Sequence, residues 1–177
     1  MSQNSSNVIY GYKEGYGKCI EKILCSRNNI IIDNILKEKF CEIERNIVDY
    51  KDIFEKNNKR DKYEAISPAN NVNGIYLFYK KVENEIEVLY VGANYEKNEK
   101  RDLSYRIKQH FRPRDTGGLM YKLAKNNNTT GEKEMKKFIN KGVKLTYFTI
   151  EKSKQEILFI ESYLIGALCP KYNFLNK

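Results

Sequence analysis

The chain has 177 residues, with 32 Lys and Arg against 23 Asp and Glu and a net charge of +9 at pH 7. That length suits one large domain or one domain with an attachment, and a 41% hydrophobic content is enough for a real core. No signal peptide is evident and no apolar run approaches the roughly 18 residues of a membrane span, so a membrane role is disfavoured. Cys19, Cys25, Cys41 and Cys169 form no C-x-x-C pair, and only His110 is present to join them. A zinc site is therefore disfavoured, and the cysteines read as buried thiols of a reducing, cytoplasmic protein.

In chain order, residues 1–14 are polar. Cys19, Ile20, Ile23 and Leu24 predict a short helix over 17–24, broken at 26–29. A longer helix is predicted over 30–54, where Ile32, Ile35, Leu36, Phe40, Ile43, Ile47 and Phe54 recur at steps of three and four. Residues 56–73 have the composition of a boundary. This divides the chain into a helical N-terminal extension, 1–70, and a second unit, 71–177.

The second unit opens on Gly74-Ile75-Tyr76 and, after a charged turn, Tyr90-Val91-Gly92. Two glycines and two phenols thus frame one predicted hairpin, with strands over 74–79 and 85–91. Alternation places Ile86, Val88, Tyr90 and Gly92 on one face. A loop over 94–100 leads to a helix over 103–111, ended by Pro113 and Gly117-Gly118. A helical turn is predicted over 119–125 and a short helix over 132–140. Val143, Leu145 and Tyr147 alternate as a third strand, and a last helix runs over 153–168, stopped before Pro170.

Charge is divided unevenly between the two units. Residues 1–70 carry 12 basic and 11 acidic side chains, residues 71–177 carry 20 and 12. A basic half points to a polyanion, because Lys and Arg release counterions from phosphate backbones. A lysine-rich coding bias explains the total but not the asymmetry.

Three further features carry chemistry. Glu161 is flanked at helical spacing by Ile157, Leu158, Leu164 and Ile165. A carboxylate there is costly to bury unpaired. It either reaches water or a lysine at an edge, or holds a divalent cation beside a phosphate. Arg106 and His110 stand four apart on a basic helix. They are either a solvated face with Lys108 and Arg112, or a phosphate fork beside a neutral proton acceptor. Asn173, after Pro170-Lys171-Tyr172, is either a backbone cap or a pin between the last helix and the hairpin.

Taken together these motifs resemble the GIY-YIG nuclease family over residues 72–173. Gly74-Ile75-Tyr76 stands as GIY and Tyr90-Val91-Gly92 as YIG with Val in the middle. Residues 103–111 stand as the arginine helix, Ile160-Glu161-Ser162-Tyr163 as the glutamate helix, and Pro170-Lys171-Tyr172-Asn173 as the closing motif. The loop before Arg106 and the basic stretch 112–125 are longer than in the minimal family domain, like those of family members that act as restriction enzymes.

The resemblance implies an α+β fold: a small three-stranded antiparallel sheet flanked by helices. It implies a Mg²⁺-dependent (or Mn²⁺-dependent) endodeoxyribonuclease with one ion per active site, bound by Glu161. Tyr76 would be the general base, its proton drawn toward His110 or a water. Tyr90 would position water or phosphate, Arg106 would hold the scissile phosphate, and Asn173 would support the site. Arg106 and the metal are expected to favour the Tyr76 phenolate. Double-stranded DNA is the expected partner, met by Lys100, Arg101, Lys108, Arg112, Arg114 and Lys122. No large module follows Asn173, so the expected role is a Type II restriction endonuclease. Base reading would fall to the helical segment and the inserted loops, and a homodimer would suit such an enzyme, with the apolar face of the 30–54 helix either packed on its own nuclease domain or serving as the interface. The alternatives are a standalone repair or mobile-element nuclease and a module that binds nucleic acid without cutting.

Overall fold

A computed structural model describes residues 30–54, 61–83, 85–96 and 101–173. The helix expected over 17–24, together with Cys19, Cys25 and Lys100, lies outside the described residues. Helix α1 (Ile30–Arg45) is followed by β1 (Val48–Asp49), α2 (Tyr50–Phe54) and a 3-10 helix (Asp61–Ala69). Then come β2 (Gly74–Val82), β3 (Glu85–Asn94), α3 (Leu103–Gln109), α4 (Leu119–Asn126), α5 (Gly131–Asn140), β4 (Lys144–Thr149) and α6 (Lys154–Leu168).

The fold is α+β with an antiparallel sheet, but the sheet has four strands rather than three, in the order β1-β4-β2-β3. The extra strand comes from the stretch read as one helix over 30–54. Asn46 stops the helix and donates its side-chain amide to the Tyr147 carbonyl at 3.1 Å. Val48 and Asp49 then pair with Leu145 and Lys144 before the chain re-enters helix. Ile47 fits the helical spacing, yet Ile47 and Val48 are β-branched and sit between Asn46 and Asp49, which suits a short edge strand. The boundary stretch likewise holds structure, since Ile66 and Ala69 of the 3-10 helix are buried.

Both faces of the sheet are covered, which is why β2 begins as an unbroken apolar run rather than an alternating one. On one face α1 and α6 pack Ile43, Ile157, Ile160 and Leu164 onto Ile75, Leu77, Val91 and Phe148. On the other, Tyr50, Ile53, Leu103, Ile107, Phe111, Leu119 and Met135 surround Tyr76, Phe78, Leu145 and Tyr147. None of the described helices is long and apolar enough to cross a membrane. Cys41 and Cys169 are exposed free thiols, not the buried ones expected. Cys41 falls at an exposed position of α1, and Cys169 caps α6 in the left-handed conformation at φ 46°.

Candidate active site

The two glycines of the hairpin are explained by crowding. A Cβ on Gly74 would collide with the Phe148 carbonyl of β4, and one on Gly92 would collide with the Tyr76 hydroxyl directly across the ladder. Gly92 thus clears the space that the Tyr76 phenol fills. Tyr90 reaches the same face through a β-bulge: the register steps from Phe78↔Tyr90 to Tyr79↔Val88, leaving Leu89 as the extra residue. The expected shared face of Ile86, Val88, Tyr90 and Gly92 is therefore split. Ile86 and Val88 pack under α6, while Tyr90 packs with Tyr76 on the α3 side. The two phenol rings lie 6.2 Å apart, centroid to centroid.

Helix α3 brings Arg106 and His110 to this face. Its N-cap Asp102 accepts from the Tyr105 amide at 2.6 Å and from the Asn71 amide at 2.8 Å. That double contact fixes the helix to the chain entering β2. His110 is fully buried rather than on a solvated basic face. Its Nδ1 accepts from the Leu119 amide at the start of α4, at 3.0 Å, and its Nε2 lies 2.6 Å from the Tyr76 hydroxyl. An imidazole nitrogen that accepts an amide hydrogen bond carries no proton, so the neutral ring holds its hydrogen on Nε2 and donates to Tyr76. Burial, reinforced by the charges of Arg106 and Lys122, pushes His110 down to about 3. The expected transfer of the Tyr76 proton to His110 is thus closed off, because both ring nitrogens are already occupied.

Tyr76 itself is fully buried, and burial holds its pKa well above the usual phenol range, aided by Tyr90 and Glu161 and opposed by Arg106. The expectation that Arg106 favours the phenolate is right in sign, but burial outweighs it. Tyr90 is raised by burial as well, against Arg106. The two phenols lie close enough for each to shift the other's pKa. The line of donors runs from the Leu119 amide through His110 to Tyr76.

Glu161 projects from α6 around the free edge of β3. It is half-buried, and burial raises its pKa, against the pull of Arg106 and of a hydrogen bond from the Ala93 amide. Glu161 and Arg106 line one cleft of about 450 Å³, together with Tyr95, Arg101, Tyr105 and Gln109. Asn173 grips the same edge: its side chain accepts from the Val91 amide at 2.8 Å and donates to the Val91 carbonyl at 2.7 Å. The Lys171 and Tyr172 amides bond to the carbonyls of Val88 and Leu89. The C-terminal segment so closes the edge next to Tyr90.

The basic candidates divide. Arg101 joins Arg106 in the cleft. Lys108 instead sits over the Tyr63 ring at 5.5 Å. Arg112 lies over Tyr105 at 5.4 Å, next to the loop that carries Arg114. Lys122 is half-buried on α4, near enough to His110 to depress its pKa. Sequence reading missed Gln109, Asp115 and the Leu119 amide. Gln109 had a signal, standing three residues after Arg106 on one helix face. The Leu119 amide had none, because a backbone donor leaves no trace in composition.

No family model, curated protein or solved structure matches this chain.

Proposed function

We propose that this chain is a metal-dependent DNA endonuclease that hydrolyses phosphodiester bonds. The observation that carries the reading is that Arg106 of α3 and Glu161 of α6 line one cleft, while the buried Tyr76, bonded to His110, lies close enough to Tyr90, Arg106 and Glu161 to feel their charges. Glu161 is the residue that would hold Mg²⁺. The donor set fits that ion in kind: Glu161 offers a half-buried carboxylate at the cleft, and Mg²⁺ commonly takes one or two carboxylates and completes its shell with water and phosphate oxygens. When bound, such an ion neutralises phosphate charge and lowers the pKa of a coordinated water.

The chain's own groups supply the rest. Arg106 forks onto the phosphate oxygens and favours the added charge of the transition state. A phenol of the pair that has first lost its proton to solvent takes the proton of the attacking water as the water oxygen bonds to phosphorus, and the bond from phosphorus to the leaving sugar oxygen breaks, that oxygen taking its proton from solvent. His110 keeps its proton and donates to the Tyr76 oxygen, which favours negative charge there, so proton movement runs outward through Tyr90. A restriction role extends the proposal, supported by the basic segment 112–125 that builds α4 and the loop before it, and a two-fold dimer would suit an enzyme that cuts both strands.

Supercoiled plasmid incubated with the protein in Mg²⁺ and in EDTA tests the reading. Nicked or linear product in Mg²⁺ alone is expected. A mobility shift with uncut plasmid in both would assign a binding module instead. Sequenced product ends then separate fixed cutting, as in restriction, from scattered or structure-directed cutting.

A further inference from the structure

We propose that Gln109 is a positioning residue that aims the Arg106 guanidinium into the cleft, locked in place by Asp115. The proposal rests on the nuclease reading for its consequence but on geometry for its substance. Gln109 Oε1 accepts from Arg106 Nη1 at 2.7 Å. Gln109 Nε2 donates to Asp115 Oδ1 at 3.4 Å, and that carboxylate also accepts from the Gly117 amide at 3.0 Å.

A guanidinium only donates and a carboxylate only accepts. The amide of Gln109 therefore satisfies both partners in one orientation, with its carbonyl toward Arg106. The loop is held against α3 through the backbone as well: a Cβ on Gly118 would collide with the Gln109 main-chain carbonyl, and the Gly118 amide donates to the Asp115 main-chain carbonyl at 2.8 Å. A neutral acceptor suits this task. It consumes one guanidinium hydrogen and leaves the positive charge and the remaining donors for a phosphate, whereas a carboxylate there would cancel the charge. Half-buried beside two phenols and a carboxylate, Arg106 has other acceptors nearby, so Gln109 decides which way the fork faces.

The test combines single-turnover plasmid cleavage in Mg²⁺, DNA affinity in EDTA and NMR of the Arg106 side chain. Gln109→Leu is expected to cut about ten- to hundredfold more slowly, the scale of a small misplacement of a reacting group, with DNA affinity little changed. Its Arg106 Nη signals should average, where the wild type shows hindered rotation. Asp115→Leu should move the same way, and Asp115→Asn, which keeps an acceptor oxygen, should restore the wild-type rate. A Gln109→Leu variant with wild-type cleavage, or with Arg106 rotation still hindered, overturns the proposal. A wild-type protein that cuts nothing refutes the nuclease reading instead, and the Arg106 signals then decide the positioning claim alone.

Discussion

His110 is the sole histidine of the chain, and its two ring contacts assign it a role opposite to the one its residue type suggests. Selective ¹⁵N-histidine labelling gives a single ring, and its spectrum should show the hydrogen on Nε2 and a bare, hydrogen-bonded Nδ1. A proton on Nδ1 would break the line of donors to Tyr76. The same burial has a thermodynamic consequence. With the folded pKa near 3 and the ordinary value 6.5, the unfolded chain binds a proton that the folded chain refuses. The stabilising contribution is complete above pH 6.5 and is lost as pH falls toward 3. Between those limits it changes by up to about 1.4 kcal/mol per pH unit. Urea unfolding at pH 5 and pH 7 should show that slope in the wild type and a shallower one in His110→Gln. The residue types of this site were legible in the sequence: Tyr76, Tyr90, Arg106, His110 and Glu161 were all picked out by motif and spacing. The direction of the His110 hydrogen bond was not, because it is set by a backbone amide nine positions away.

At the level of elements, the site depends on one irregularity and one clamp. The bulge at Leu89 turns Tyr90 onto the face of Tyr76, and a strictly alternating strand would leave the two phenols on opposite sides. Alternation read from sequence assumes an unbroken ladder, which is why Ile86 and Val88 were grouped with Tyr90. The clamp is Asn173, whose amide substitutes for a neighbouring strand along Val91. Asn173→Ala removes both bonds at a half-buried edge. It should lower unfolding free energy by about 1–3 kcal/mol in a denaturant titration. If cleavage falls, the loss should be larger than the loss of DNA affinity, because Asn173 supports the Tyr90 strand rather than the phosphate. The helix read over 30–54 failed for a similar reason. Ile47 keeps the helical step, but the Asn46 side chain binds the Tyr147 carbonyl and Val48 and Asp49 pair with β4 instead of continuing the helix.

Across the whole molecule, a four-stranded sheet covered on both faces brings residues from both halves of the chain into one structure. Val48 and Asp49 complete the β4 edge, and Tyr50 stacks on Phe111 at 4.5 Å and meets Phe78, whose ring lies 5.4 Å from that of His110. The packing that buries the imidazole so draws on residues ahead of position 70, which composition alone had set apart. Of the basic residues in 71–177, Arg101 and Arg106 line the cleft, which also holds Glu96 and Glu161, the carboxylate proposed for the metal. A guanidinium beside a half-buried acid is what the proposed phosphodiester hydrolysis would use and a simple binding surface would not need. The most direct measurement is therefore the single-turnover rate of Mg²⁺-dependent DNA cleavage by wild type and Glu161→Gln at saturating DNA. A loss of at least about a hundredfold, of the order set by removing one key charge from a transition state, with DNA binding retained, is the result predicted. Undiminished cleavage by Glu161→Gln would contradict it.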